Sequence, residues 1–240
     1  MSGSCSPVAR WSGYCPICEA PTKFEAWTSW FRDHLVCTGC QSIPRERALM
    51  LAIHSTVPNW ASLRLHESSP SERGASPKLR RKCKRYVSSH LFPNAPRGTM
   101  VGEHRCEDLH AQTFADNSFD LVITQDVMEH VFEPERAVAE IHRTLASEGW
   151  YIFTAPVYKE RINTERCARR VNGEVVHLTP PEYHGNPIDN AGSLVTFRYG
   201  YDIQDLLVSW AQFDVEVRRY RNHTYGIVAE FTEVMICRKR

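Results

Sequence analysis

Two Cys-x-x-Cys knuckles, Cys15-Pro16-Ile17-Cys18 and Cys37-Thr38-Gly39-Cys40, lie 18 residues apart near the start of this 240-residue chain. Four thiolates at that spacing can converge tetrahedrally on one zinc ion. A site filled by four cysteines has no open coordination position, so such a zinc is structural. In small modules it contributes about 10–16 kcal/mol to folding. The remaining cysteines, Cys5, Cys83, Cys106, Cys167 and Cys237, have no such partner and read as small buried or incidental residues. Residues 1–7 lack the cationic start and apolar run of a secretion signal, so a reducing cytoplasm is expected, where clustered cysteines hold metal in preference to forming disulfides.

Beyond the knuckles the composition, 42% apolar and 24% charged, is that of a globular chain. Ser42-Ile43-Pro44 predicts a helix start, with Ala48, Leu49, Ala52 and Ile53 as its apolar stripe and Pro58-Asn59 as its stop. Strands are predicted at Ser62–His66, Tyr86–Ser89, Met100–Glu103, Phe119–Thr124 and Trp150–Ala155, with helices opening at Ser76-Pro77 and Pro134. Alternation of this kind predicts a parallel sheet covered on both faces, with ligands at the carboxyl ends of its strands. Residues 157–198 break the rhythm and read as a functional insertion or lid. A helix at Asp202–Ala211 and strands at Asp214–Tyr220 and Ile227–Cys237 close the chain. The predicted organisation is a zinc ribbon over 1–43, a linking helix over 44–60 and a main domain over 61–240. The longest uncharged apolar stretches, such as Leu49–Ile53, fall far short of the roughly 20 residues of a bilayer-spanning helix, so no membrane partner is expected.

Residues 106–131 run Cys106-Glu107-Asp108-Leu109-His110 through Asp116-Asn117-Ser118-Phe119-Asp120 to Gln125-Asp126-Val127-Met128-Glu129-His130-Val131. This segment resembles the central signature of type 11 class I methyltransferases, which use S-adenosylmethionine. The likeness continues through Pro134, Glu140-Ile141, Arg143 and Gly149 to Thr154-Ala155-Pro156. Cys37-x-x-Cys40-Gln-Ser-Ile-Pro-Arg45-Glu-Arg47 is likewise similar to bacterial methyltransferases with an N-terminal zinc ribbon. The resemblance implies an α/β, Rossmann-like sheet, mostly parallel with its last strand antiparallel, and it implies S-adenosylmethionine as cofactor.

By that resemblance Asp108 and Leu109 hold the adenine, Gln125 opens on the methyl donor, and Glu67, Ser68 and Ser69 lie at the donor's amino-acid tail. The usual acid followed by Gly-x-Gly-x-Gly is here Glu67-Ser68-Ser69-Pro70-Ser71-Glu72-Arg73-Gly74, in which Gly74 alone survives. After the second strand, Ser88-Ser89-His90 stands where the family usually has an acid for the ribose. Within the insertion, His177-Leu178-Thr179-Pro180-Pro181-Glu182-Tyr183-His184-Gly185 gathers groups suited to moving a proton. His184 is the expected base, with His177 and Glu182 as orienting partners or alternates, Tyr183 on the substrate side and His130 as a further catalytic candidate.

Charge bears on the acceptor. Residues 1–100 hold 14 basic and 6 acidic groups and residues 101–240 hold 15 and 22. The acidic C-terminal part favours O-methylation of a carbohydrate or other small molecule. Two alternatives stay open: N-methylation of an RNA base delivered by the ribbon, with Trp27, Trp30, Phe31 and Arg32 stacking bases instead of packing the ribbon, and an inactive binding protein on the same fold. Nothing in the sequence sets the oligomeric state.

Overall fold

The computed structural model describes residues 6–185 and 192–240, so Cys5 and the insertion's Pro187 lie outside the described residues. The ribbon is a three-stranded antiparallel sheet. Strand β1 (Ala9–Cys15) pairs with β2 (Ala20–Ala26), and after the short helix α1 (Phe31–His34) strand β3 (Leu35–Cys37) pairs with β2 on its other side. Every second residue of β1 and β2 turns inward, and Phe24 is fully buried. Trp27 and Trp30, expected to pack the ribbon, are instead half exposed, and Trp11 and Phe24 fill the space, their rings 6.0 Å apart. The outward aromatics follow the end of β2, beyond the alternating part of the strand.

Helix α2 (Pro44–Thr56) begins as expected, with Pro44 in its first turn and the Ile43 N–H donating to the Glu46 carboxylate at 2.9 Å. It is buried on most of its circumference, charged Glu46 and Arg47 included, because the ribbon covers one side and the sheet the other. Arg47, fully buried on this helix, ties the two together: it donates to the carbonyls of Ser42, Leu35 (3.0 Å) and Gly226 (2.7 Å), and its guanidinium lies 4.7 Å from the Phe24 ring. Burial pulls its pKa down to about 10, and it stays charged at neutral pH.

The main sheet follows: β4 (Arg64–Ser68), helix α3 (Ala75–Lys82), β5 (Arg85–His90), β6 (Met100–Val101), β7 (His104–Cys106), β8 (Phe119–Gln125), helix α4 (Pro134–Thr144) and β9 (Leu145–Thr154). The insertion contributes three small two-stranded pairings, from β10 (Glu165–Arg166), β11 (Ala168–Val171), β12 (Glu174–His177), β13 (Tyr183–His184), β14 (Ser193–Leu194) and β15 (Phe197–Arg198). Helix α5 (Ile203–Trp210), β16 (Phe213–Arg219) and β17 (Glu233–Lys239) complete the chain. The sheet order is β16-β17-β9-β8-β4-β5-β7-β6. Its centre is parallel, and β17 inserts antiparallel between β16 and β9, as expected for the last strand.

Several boundaries differ from the sequence expectation: β4 starts at Arg64 in place of the expected Ser62 and β9 at Leu145 in place of Trp150, and two further differences have a clear cause. The strand predicted at Met100–Glu103 is a hairpin in which Gly102, at φ +62°, reverses the chain, so that β7 runs parallel to β5 and β6 becomes the antiparallel edge. The final strand starts at Glu233; Ile227 instead bridges Asn222 in a loop that seats the ribbon, where the Tyr14 N–H donates to the Thr224 carbonyl at 2.8 Å. Alternate residues of β8 serve two cores. Leu121 and Ile123 face α2 and the ribbon, while Val122 faces α4 and α5. No helix among the described residues is long and apolar enough to cross a membrane.

Candidate active site

At the carboxyl ends of β4 and β8 the side chains expected to meet the donor are bound to one another. Glu67 is fully buried, accepting from the Ser76 hydroxyl (2.6 Å), the Gln125 amide (2.8 Å) and the Tyr86 hydroxyl (2.8 Å). Burial pushes its carboxyl up, and these three donors oppose the rise. Ser68 is buried; Ser69, at φ +57°, donates its N–H to the Ser89 carbonyl at 2.7 Å. Gly74 adopts φ +65° just before α3, and a Cβ there would sit 2.1 Å from a carboxylate oxygen of Glu46. The surviving glycine therefore makes room for the Glu46 carboxylate of α2.

Asp108 follows β7 and folds back on its own loop, one oxygen accepting from the His110 N–H (2.9 Å) and the His110 ring (2.7 Å). The His110 hydrogen bond holds it down to about 2. Leu109 is buried beside it. Near the end of β5, Ser88 meets His104 at 2.8 Å and Ser89 meets His66 at 2.8 Å, so these side chains are turned to neighbouring strands.

A cavity of about 1300 Å³ opens beside this edge, walled by the ribbon, α2, the end of β8, the insertion and the loop before β17. Asp126 lies at its wall. One carboxylate oxygen accepts from Thr154 (2.8 Å), and the other from Arg32 of α1 (2.5 Å) and Arg45 of α2 (2.7 Å). Burial works against its charge, and the two guanidiniums outweigh burial, holding Asp126 below the usual carboxylate range. The ribbon thus reaches into the site through Arg32, 94 residues from Asp126 in sequence.

Deeper lie Glu129, His130 and His184, whose ligand-type atoms all fall within 4.8 Å of one another. The His130 Nδ1 sits 2.9 Å from the Leu194 carbonyl, and burial lowers its pKa to about 4. The His184 Nε2 sits 3.2 Å from Glu182, which is also held by Arg198 at 2.8 Å. The Glu129 carboxylate is fully buried and neither oxygen has a hydrogen-bond partner; burial, then the charge of Asp126, pushes its pKa well above the usual range. Of the expected acceptor-side residues, His130, Glu182 and His184 come together here. His177 is exposed on β12, where it pairs with Ala168, and Tyr183 is more than half exposed. Glu129 was legible only as part of the Glu-His-Val triplet, and nothing in the sequence linked Arg32 or Arg45 to Asp126.

The four knuckle cysteines also converge. The Cys15 and Cys40 sulfurs are 3.7 Å apart and those of Cys18 and Cys37 are 3.8 Å apart. A tetrahedron with bonds of ~2.3 Å to sulfur has edges of about 3.8 Å, so the residues present fit one zinc ion. The second knuckle abuts the donor-side loop: the Gly74 N–H donates to the Cys40 carbonyl at 3.2 Å, and Arg73 donates to the Gln41 carbonyl at 3.0 Å.

Residues 75–153, from α3 through β9, match the family described as "Methyltransferase domain". No curated protein sequence matches the chain. Among solved structures, an S-adenosylmethionine-dependent methyltransferase from Mesorhizobium loti superposes with a TM-score of 0.52 at 14% identity, covering 80% of this chain and 98% of that one. The PH0226 protein of Pyrococcus horikoshii superposes with a TM-score of 0.52 at 14% identity, covering 82% and 90%. The shared fold and the matched segment fall on the same sheet, and the large cavity lies beside its carboxyl edge.

Proposed function

We propose that the protein transfers the methyl group of S-adenosylmethionine to a hydroxyl of a carbohydrate or other small acceptor that enters the cavity between the ribbon and the insertion. The observation that carries this reading is the convergence of His130, His184 and Glu182 beside Asp126, at the end of the matched segment's central strand. Methyl transfer from a sulfonium is an in-line displacement, so holding the acceptor oxygen about 3 Å from the methyl supplies most of the rate. An alcohol must also lose a proton. His184, oriented by Glu182, is the group placed to manage that loss, which is worth roughly 10²–10⁴-fold. His177 and Tyr183, which point to solvent, have no part in the proposal. Asp108 and Leu109 would lie along the adenine, and Gln125 and Ser69 along the rest of the donor.

Zinc at Cys15, Cys18, Cys37 and Cys40 belongs to the same reading as a structural ion. It would hold the ribbon so that Arg32 reaches Asp126 and Cys40 and Gln41 brace the Arg73-Gly74 loop. The test has two parts: calorimetric titration with S-adenosylmethionine, and transfer of labelled methyl to a panel of sugars, small alcohols and RNA. Donor binding with label on a small hydroxyl compound supports the reading. Label on RNA moves the acceptor to nucleic acid, and no heat with the donor leaves a binding protein on a methyltransferase scaffold.

A further inference from the structure

The Glu129 carboxylate is a buried charge-bearing group that its surroundings leave without a partner. It is fully buried beside Asp126, and both its oxygens lack hydrogen-bond partners. Leaving a carboxylate without donors is expensive unless a charge completes it. Arg32 and Arg45, the nearby cations, are already committed to Asp126 and Asp33. Facing Glu129 Oε1 are two imidazole nitrogens, the His130 Nε2 at 3.9 Å and the His184 Nδ1 at 4.0 Å.

Both rings are set with the correct nitrogen inward. The His130 Nδ1 is engaged by the Leu194 carbonyl, which can only accept, so that nitrogen carries the proton and Nε2 presents a lone pair. The His184 Nε2 faces the Glu182 carboxylate, itself anchored by Arg198, so its Nδ1 presents a lone pair. A carbonyl or carboxylate behind each imidazole is the arrangement that orients metal-ligating histidines.

We propose that Glu129, His130 and His184 form a binding site for a divalent transition-metal ion, distinct from the four-cysteine cluster and opening on the acceptor cavity. One carboxylate and two imidazoles suit Mn²⁺, Fe²⁺ or Zn²⁺ better than Mg²⁺, and three protein ligands leave positions for water or an acceptor hydroxyl. Bonds of ~2.0–2.2 Å place ligand atoms about 3.0–3.5 Å apart, so the three side chains close by roughly half an ångström around the ion. Resting on the acceptor reading above, the site refines the role of His184 from free base to ligand. A coordinated hydroxyl is acidified and its proton passes to solvent. Its oxygen then bonds the methyl carbon as the carbon–sulfur bond breaks, leaving the electron pair on sulfur, with an ether and a thioether as products.

The probe is Mn²⁺, titrated into zinc-loaded protein and followed by loss of the free-ion electron paramagnetic resonance signal, without methyl donor. The wild type is expected to take up one Mn²⁺ per chain. Glu129→Gln, which keeps shape and removes charge, and His184→Ala should each weaken uptake at least tenfold, while Glu174→Gln on exposed β12 should leave it unchanged. Circular dichroism and thermal melts report whether each variant folds, and broadening of the His130 and His184 ring signals by Mn²⁺ in the NMR spectrum of the wild type gives a readout free of mutation. No uptake by the wild type, uptake unaffected by Glu129→Gln, or ring signals that do not broaden overturns the proposal. Because Mn²⁺ uptake is read without the donor, and donor binding without Mn²⁺, failure of the metal site and failure of the methyltransferase reading are separately visible.

Discussion

Replacing Gly74 by Ala separates two explanations for a glycine in a donor-side loop. If the glycine admits a cofactor, the substitution lowers donor affinity and leaves the empty protein stable. The structure predicts loss of stability without any cofactor, because the intruding Cβ would lie 2.1 Å from Glu46 Oε2 and 2.5 Å from Glu46 Cδ. Two costs combine. Gly74 combines φ +65° with ψ −123°, a region nearly reserved for glycine, and holding alanine there costs about 1–3 kcal/mol. Displacing the Glu46 carboxylate strands the buried Ile43 N–H that it accepts at 2.9 Å, a further loss of about 1–3 kcal/mol. The expected total is about 2–6 kcal/mol, and only the first part survives in a Glu46→Ala background. A double-mutant cycle from urea unfolding of the zinc-loaded protein should therefore show about 1–3 kcal/mol of coupling between the two sites. Equal costs for Gly74→Ala in both backgrounds would refute the assignment of this glycine to helix packing.

Burial holds the His66 imidazole down to about 3, so protonation favours the unfolded chain and stability falls as pH drops from the ordinary value near 6.5. The full swing is on the order of 5 kcal/mol, and His66→Leu should flatten that limb of an acid titration followed by circular dichroism. Asp126→Asn leaves Arg32 and Arg45 with Asp33 as their remaining carboxylate, an expected loss below the roughly 3–5 kcal/mol of a fully uncompensated buried charge that a second change, Arg32→Met, should partly restore in urea melts. Stripping zinc with a chelator should release the ribbon and expose Trp11 and Phe24, read as a red shift in tryptophan fluorescence; an unchanged spectrum would argue against metal in the four-cysteine cluster. Phe24→Ala, at a fully buried ring stacked on Arg47, should cost about 3–5 kcal/mol in the same melts.

The sequence by itself determined the parts of this protein that obey local rules. Strand and helix periods in residues 119–154 specify a parallel sheet, since a buried run such as Leu121-Val122-Ile123 must be covered on both faces. Two knuckles 18 residues apart specify where four sulfurs gather, because their geometry is set within the knuckles themselves. Local rules falter where a turn can be made in more than one way, as at Gly102, where one predicted strand is a hairpin. Tertiary structure alone decided the site. Asp126 meets Arg32 across 94 residues, Glu46 fills the space beside Gly74, and His184 comes to Glu129 while nearby His177 turns to solvent. These pairings depend on how the ribbon and the insertion close over the sheet edge. Side chains brought together only by that closure leave no periodicity in the chain by which to find them.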